Sequence, residues 1–151
     1  MANYIRTHRT LDEDLKMSDA AAITAAAYWL VGGAAGILDL GDTRCEFVVV
    51  VDISAMDIAS TDEYYALHIY GSSSATFAST IVPLAQLTLG DASTIAAAAG
   101  GGVIDTDSTP GRYEMYGSNY VDGVVYRYVC GYTDVTGTTP SINLVAYMCK
   151  I

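Results

Sequence analysis

The stretch that decides the fold lies near the middle of the chain, where residues 64–70 read YYALHIY. Side chains point alternately to the two faces of a β-strand, so the odd-numbered positions share one face and the even-numbered positions the other. Upstream, residues 46–53 read EFVVVVDI, and such a valine run is typical of a strand that is covered on both faces. Downstream, residues 142–149 read INLVAYMC and alternate as residues 64–70 do. These three segments predict β-strands.

Turn residues divide the rest of the chain into further short strands. Strands are predicted at residues 81–89, 112–116 and 124–133, and Pro83 suits a strand at a sheet edge. Glycine, proline or aspartate separates the runs at residues 40–42, 71–74, 89–91, 109–111, 122–123 and 136–140. Seven or eight short strands without βαβ alternation predict an all-β fold, namely an antiparallel β-sandwich or a jelly-roll-like domain. The long connection at residues 92–110 is expected to be a mobile loop or an interface segment.

Composition and charge narrow the class of protein. The 151 residues are 52% hydrophobic and only 16% charged, which excludes general disorder and leaves little polar surface for a monomer. We therefore expect one sandwich domain that works in an assembly. The net charge of −10 argues against binding to the phosphate backbone of nucleic acid. Three cysteines cannot all pair within one chain, so they indicate folding in a reducing cytoplasm.

The first part of the chain differs from the rest. All fourteen glycines and all three prolines lie at or after Gly32. We therefore divide the chain into an N-terminal arm, extended or partly helical, at residues 1–31 and a β-sandwich domain at residues 32–151. Asp19 is a plausible N-cap for an alanine-rich helix over Ala20–Leu30. Such a helix is too short to be stable alone, so its apolar end must pack either on its own domain or on a neighbouring subunit.

A stretch that begins within this arm is also a candidate membrane span. Residues 20–38 carry no charge and are about long enough to cross a bilayer. They consist mostly of alanine, glycine and threonine, however, and the glycines weaken them as a helix. We expect no membrane contact.

The sequence offers no recognisable catalytic or metal site. His8 and His68 are the only histidines, and no G-x-S-x-G motif or zinc-ligand spacing is present. Carboxylates cluster near turns at residues 39–42, 57–63 and 105–107, where they are best interpreted as solvated turn residues, with a calcium ion between loops or subunits as the alternative. We expect a protein that is not an enzyme and binds no cofactor or metal.

Tyrosines are the remaining feature that points to function. Asp122-Gly123 is a typical two-residue hairpin turn, and we expect it to join two neighbouring tyrosine-rich strands. Such rings serve in sheet packing, in subunit interfaces or as stacking platforms for carbohydrate. The candidate interface residues are the apolar end of the arm and four tyrosines of the hairpin region: Tyr28, Trp29, Leu30, Val31, Tyr116, Tyr120, Tyr126 and Tyr128.

Several segments between residues 36 and 149 resemble those of small structural proteins encoded among the head genes of tailed bacteriophages. They are GILDLGD at 36–42, the strand at 48–53, IASTDEYY at 58–65, IYGSS at 69–73, Phe77, GRY at 111–113, YRYV at 126–129, YTDVTGTTPSIN at 132–143 and Tyr147. The resemblance implies a capsid decoration, or cement, protein, a small β-sandwich virion structural protein without catalytic residues.

The resemblance also implies partners and a location. The expected partners are the major capsid protein and copies of the chain itself, in a homo-oligomer expected to be a trimer, with neither nucleic acid nor membrane. The expected location is the capsid surface of the virion after synthesis in the host cytoplasm. The alternative is a carbohydrate- or receptor-binding β-sandwich module of a virion, and an enzyme with an unrecognised site is a third possibility.

Overall fold

A computed structural model describes residues 13–78, 80–98 and 107–151 of the chain. A 3-10 helix at Glu13–Leu15 precedes the first strand, and one short helix, α1 (Ala92–Ala98), lies between the eighth and ninth strands. The strands are β1 (Lys16–Ile23), β2 (Ala27–Tyr28), β3 (Leu30–Val31), β4 (Ala34–Ala35), β5 (Leu38–Asp39), β6 (Glu46–Met56), β7 (Tyr64–Ser72), β8 (Ile81–Gly90), β9 (Gly111–Ser118), β10 (Tyr120–Val121), β11 (Val124–Val125), β12 (Tyr128–Thr136) and β13 (Ile142–Lys150).

Two antiparallel sheets carry the long strands. Sheet A has the order β1-β13-β6-β9, and sheet B has the order β2-β12-β7-β8, with β5 also paired to β12. In sheet A, Val51 of the central strand faces Ala146 on β13 and Tyr113 on β9. The all-β sandwich prediction is therefore confirmed in its antiparallel form.

The hydrophobic core lies between the two sheets. Alternate residues of each long strand point inward, so the β6 contribution to the core is Phe47, Val49, Val51 and Ile53. The facing sheet contributes Tyr65, Leu67 and Ile69 from β7 and Val129 from β12. Val48 and Val50, on the outer face of β6, are also buried, as the valine run predicted.

The helix predicted over Ala20–Leu30 is wrong. This region forms strand β1 at the edge of sheet A, followed by the short strands β2 and β3. Asp19 caps no helix, because its carboxylate accepts a hydrogen bond from the Gly32 amide at 2.7 Å and pairs with Lys16 Nζ at 3.0 Å. Pairing with β13 supplies backbone hydrogen bonds along one side of β1, and Met17 is buried in the core. This tertiary gain outweighs the high helix propensity of alanine. Residues 16–31 are thus built into the sandwich, and residues 1–12 of the expected arm lie outside the described residues.

The predicted hairpin turn forms between the short strands β10 and β11, but the longer tyrosine-rich strands β9 and β12 do not pair with each other. Asp122 and Gly123 have φ angles of 50° and 85°, the left-handed backbone of a type I′ turn, and they join β10 to β11. β9 lies in sheet A and β12 in sheet B, so the expected pair of neighbouring tyrosine-rich strands is wrong. The turn joins the two sheets at one end of the sandwich. In the connection 92–110, residues 92–98 form α1 and residues 99–106 lie outside the described residues.

Candidate binding surface

Aromatic side chains from three neighbouring strands meet on the outer face of sheet B. In the register of the sheet, Tyr28 on β2 faces Tyr132 on β12, and Tyr132 faces His68 on β7. Tyr70 lies two positions beyond His68 on the same face, because Ile69 between them points into the core. Phe77, from the connection between β7 and β8, completes the group. We call Tyr28, His68, Tyr70, Phe77 and Tyr132 the aromatic face.

The rings of the aromatic face pack against one another. Tyr28 and Tyr132 meet edge to face with centroids 5.1 Å apart, and Tyr70 lies 5.8 Å from Tyr132. His68 and Tyr70 are stacked at 5.3 Å with an interplanar angle of 7°. The ring of Phe77 also packs edge to face with Tyr28, and the two ring centroids are 6.2 Å apart. Each ring thus packs against at least one other ring of the group. Phe77 is buried, and the other four side chains are half-buried.

Polar atoms lie among these rings. His68 Nε2 lies 3.6 Å from a carboxylate oxygen of Asp134, a half-exposed residue on β12. Burial raises the pKa of Tyr28, and it also raises the pKa of Tyr70, where the charge of Asp134 adds to the effect. Both hydroxyls therefore stay protonated at neutral pH and offer a donor and an acceptor each.

A small cavity lies beside Tyr28. It measures about 70 Å³ and is lined by Tyr28, Ala35, Ile37, Thr76, Phe77 and Cys130. Burial raises the pKa of the Cys130 thiol to about 12, so this cysteine is a protonated, apolar part of the wall and not a nucleophile. All three cysteines of the chain are free.

The structure separates the residues predicted from the apolar end of the arm. Trp29 is fully buried between the sheets, where its indole N–H donates to Thr133 Oγ1 at 2.7 Å. Of the two alternatives for this residue, packing on its own domain is the one observed, and Trp29 offers no surface to a partner. Tyr28 belongs to the aromatic face, whereas Leu30 is exposed beside β1 and Val31 is half-buried.

The four tyrosines predicted around the hairpin do not form one surface either. Tyr116 is 54% exposed on the outer face of sheet A, while Tyr120 is exposed on the hairpin at the end of the sandwich. Tyr126 is buried, and Tyr128 is half-buried beneath the Arg127 guanidinium, which lies 5.3 Å from its ring centre. Only Tyr28 of the eight predicted residues belongs to the aromatic face.

The sequence reasoning missed four members of the aromatic face: His68, Tyr70, Phe77 and Tyr132. Alternation had already placed His68 and Tyr70 on one side of a strand. Their proximity to Tyr132 depends on the register between β7 and β12, in which His68 faces Tyr132. The two strands are far apart in the sequence, so no local pattern specifies which of their residues face each other.

Two of the turn carboxylates, those of Asp39 and Asp62, accept hydrogen bonds from protein donors. Asp39 accepts two hydrogen bonds from Arg127 at 2.8 Å, and these hold its pKa at about 2. Asp62 accepts hydrogen bonds from the backbone and hydroxyl of Thr138, which lower its pKa. Within the described ranges, no three His, Cys, Asp or Glu side chains are grouped so that they can hold a metal ion. Asp105 and His8 lie outside those ranges.

Comparison with protein families and with curated proteins identified no relative of this chain. No family model matches the chain, and no curated protein matches it. In the part of the chain that the structure describes, no helix has the length and apolar character needed to cross a membrane.

Proposed function

We propose that this chain is a virion structural protein, a capsid decoration or cement subunit that binds and stabilises a phage head shell through protein–protein contacts. The observation that carries the proposal is the aromatic face, a group of mutually packed rings, four of them half-buried, on the outside of a sandwich. The resemblance of residues 36–149 to phage head proteins supplies the biological setting.

The composition of the aromatic face supports binding to another protein. Tyrosines and histidine present apolar ring surface together with hydrogen-bonding atoms, and aromatic residues are enriched in protein interfaces. Because neighbouring rings already fix one another, docking orders few side chains and loses little conformational entropy. Such a surface can hold two proteins together without catalysing a reaction.

The proposed partners are the major capsid protein and copies of the chain itself, in a homo-oligomer for which the resemblance implies a trimer. On a repeating lattice, many weak contacts add up to strong retention. The net charge of −10 supports a position on the outer capsid surface, away from packaged DNA, after synthesis in the host cytoplasm. Neither nucleic acid nor a membrane is a partner in this proposal, and the chain is not an enzyme.

The experiment compares two tyrosines of the aromatic face with one outside it. Tyr70→Ala and Tyr132→Ala are tested for cosedimentation with assembled shells of the encoding phage that lack the protein. We expect each to weaken binding at least about tenfold, because each truncation removes a central interface ring. Tyr116→Ala, which removes a more exposed tyrosine from the outer face of sheet A, is the matched control and should bind as the unmodified chain does. Equal binding by all four proteins would refute the proposal.

A carbohydrate- or receptor-binding module of a virion is the second candidate, and the polar atoms among the rings favour it. His68, Asp134 and the exposed Gln86, which faces His68 across the sheet, offer donors and acceptors for sugar hydroxyls. The edge-to-face packing of Tyr28 on Tyr132 leaves little flat ring surface for stacking a sugar, so we place this candidate second. Binding on a glycan array that is lost in Tyr132→Ala, with no binding to shells, would reverse the order.

A further inference from the structure

One carboxylate, that of Asp134, borders the aromatic face. Residues 132–135 read YTDV on β12, and Thr133 is fully buried. Because side chains alternate along a strand, Tyr132 and Asp134 both lie on the outer face of sheet B. The Asp134 side chain is 52% exposed. A solvated carboxylate therefore adjoins a group of half-buried rings.

This carboxylate has no arginine or lysine partner among the residues that the structure describes. His68 Nε2 lies 3.6 Å from one Asp134 oxygen, and it balances the charge only when the ring is protonated. Each arginine of the described ranges is paired with a different carboxylate: Arg44 with Glu46, Arg112 with Asp52 and Arg127 with Asp39. Both described lysines, Lys16 and Lys150, belong to sheet A.

The rings beside Asp134 suit the aliphatic part of a long cationic side chain. His68 is stacked on Tyr70 at 5.3 Å, and Tyr132 packs against Tyr70 at 5.8 Å. Arginine and lysine bury their aliphatic stems along apolar surface while the charged head group stays in a polar setting. Half-buried rings next to an exposed carboxylate offer both kinds of surface.

We propose that Asp134 and the adjoining rings of the aromatic face bind an arginine side chain that the protein partner presents. The guanidinium donates two hydrogen bonds to the Asp134 carboxylate, and the stem packs against the rings of Tyr70 and Tyr132. This inference rests on the proposed function, because it names the residue type by which the shell is recognised.

Charge complementarity identifies this occupant. Any protein that covers the aromatic face takes Asp134 out of water, and an apolar surface would leave its charge buried and unpaired at a high cost. The net charge of −10 also attracts a cationic surface. Arginine is favoured over lysine, because its planar fork matches both carboxylate oxygens and its weak hydration suits contact with aromatic rings.

The first experiment is an NMR titration of the full chain with a blocked tripeptide that has arginine between two glycines. We expect the ring resonances of Tyr70 and Tyr132 to shift, and we expect Asp134→Asn to abolish the response. The corresponding glutamine peptide, which is neutral, should cause no shift, and the lysine peptide should bind more weakly. Asp122→Asn removes the same charge from the exposed hairpin turn, so this matched control should respond as the unmodified chain does.

The second experiment measures cosedimentation of the same variants with assembled shells. Asp134→Asn should weaken binding at least about tenfold, whereas Asp122→Asn should bind as the unmodified chain does. Added salt should weaken the unmodified chain more than Asp134→Asn, because salt screens the ion pair. An unmodified chain that binds no shell refutes the proposed function, while the peptide titration still decides whether the arginine site exists.

Equal shifts with the arginine and glutamine peptides would overturn the inference, and so would equal losses in Asp134→Asn and Asp122→Asn. Equal binding of the lysine and arginine peptides would contradict the choice of arginine. Peptide binding that appears only after Arg6→Gln and Arg9→Gln would also overturn the inference, because the site would then be filled by the chain's own N-terminal residues.

Discussion

The indole ring of Trp29 lies directly against the backbone of Gly131, and a Cβ atom at position 131 would overlap that ring. The Trp29 amide also donates to the Gly131 carbonyl at 2.9 Å. Trp29 comes from the region expected to be an arm, whereas Gly131 lies in the middle of β12. This contact therefore ties the N-terminal strands to the centre of sheet B.

The first prediction concerns this contact. Gly131→Ala should lower the free energy of unfolding by about 3 kcal/mol, because the ring must leave its place or the sheet must move. Urea denaturation measures the change. In a Trp29→Ala background the added methyl group has room, so the further loss caused by Gly131→Ala should be much smaller. Additive effects of the two substitutions would contradict the account of steric overlap.

The second prediction concerns Glu63, a fully buried carboxylate directly before the first residue of β7. Its two oxygens accept hydrogen bonds from the backbone amides of Ser60 at 3.0 Å and Asp62 at 3.3 Å. Glu63→Ala should lower the free energy of unfolding by about 2–3 kcal/mol, since it leaves these amides without their acceptor. Glu63→Gln should lose less, because its amide oxygen still accepts. Glu46→Gln, at an exposed position, is the control, and a loss as large as that of Glu63→Ala would argue against the turn-capping role.

The third prediction is a pH dependence that arises from Asp39. Hydrogen bonds from Arg127 hold its pKa at about 2 in the folded chain, against 3.8 for an unperturbed aspartate. A pKa that is lower in the folded chain contributes stability above about pH 4, and this stability is lost as the pH falls toward about 2. Melting temperatures across this range should fall less steeply for Asp39→Asn than for the unmodified chain. Asp122→Asn, at the exposed hairpin turn, should leave the slope as it is, and parallel curves for all three would contradict the prediction.

The fourth prediction concerns cysteine reactivity. Burial raises the pKa of Cys130 to about 12, and its side chain is enclosed by the wall of the small cavity. In the folded chain at pH 8, iodoacetamide should modify Cys130 much more slowly than the half-buried Cys45 and Cys149. Mass spectrometry of peptides reads the three rates separately. Rapid modification of Cys130 in folded protein would contradict the burial described here.

The strands of the sandwich were predictable because their signal is local. The valine run at 48–51 and the alternation after Ile142 each record burial in a few neighbouring residues. The Asp122-Gly123 turn was equally local, because its left-handed backbone favours those residue types. These patterns needed no knowledge of which strand pairs with which.

The error in the helix assignment and the omission of most of the aromatic face have a shared physical reason. Alanine propensity over Ala20–Leu30 is a local preference, and the backbone bonds that override it come from β13, more than a hundred residues away. In the same way, the aromatic face exists because Tyr132 faces both Tyr28 and His68 in the sheet. Pairings across such distances depend on the packing of the whole core, which a single sequence does not reveal.

Hydroxyl-radical footprinting of the chain, free and bound to assembled shells, tests the central claim most directly. It reports the solvent access of individual tyrosines without any substitution. We predict that binding protects Tyr28, Tyr70 and Tyr132 from oxidation while Tyr116, on the opposite sheet, stays as reactive as in the free chain. Protection of Tyr116 with the aromatic face unchanged, or no protection of any tyrosine, would contradict the claim that this chain holds a shell through the outer face of sheet B.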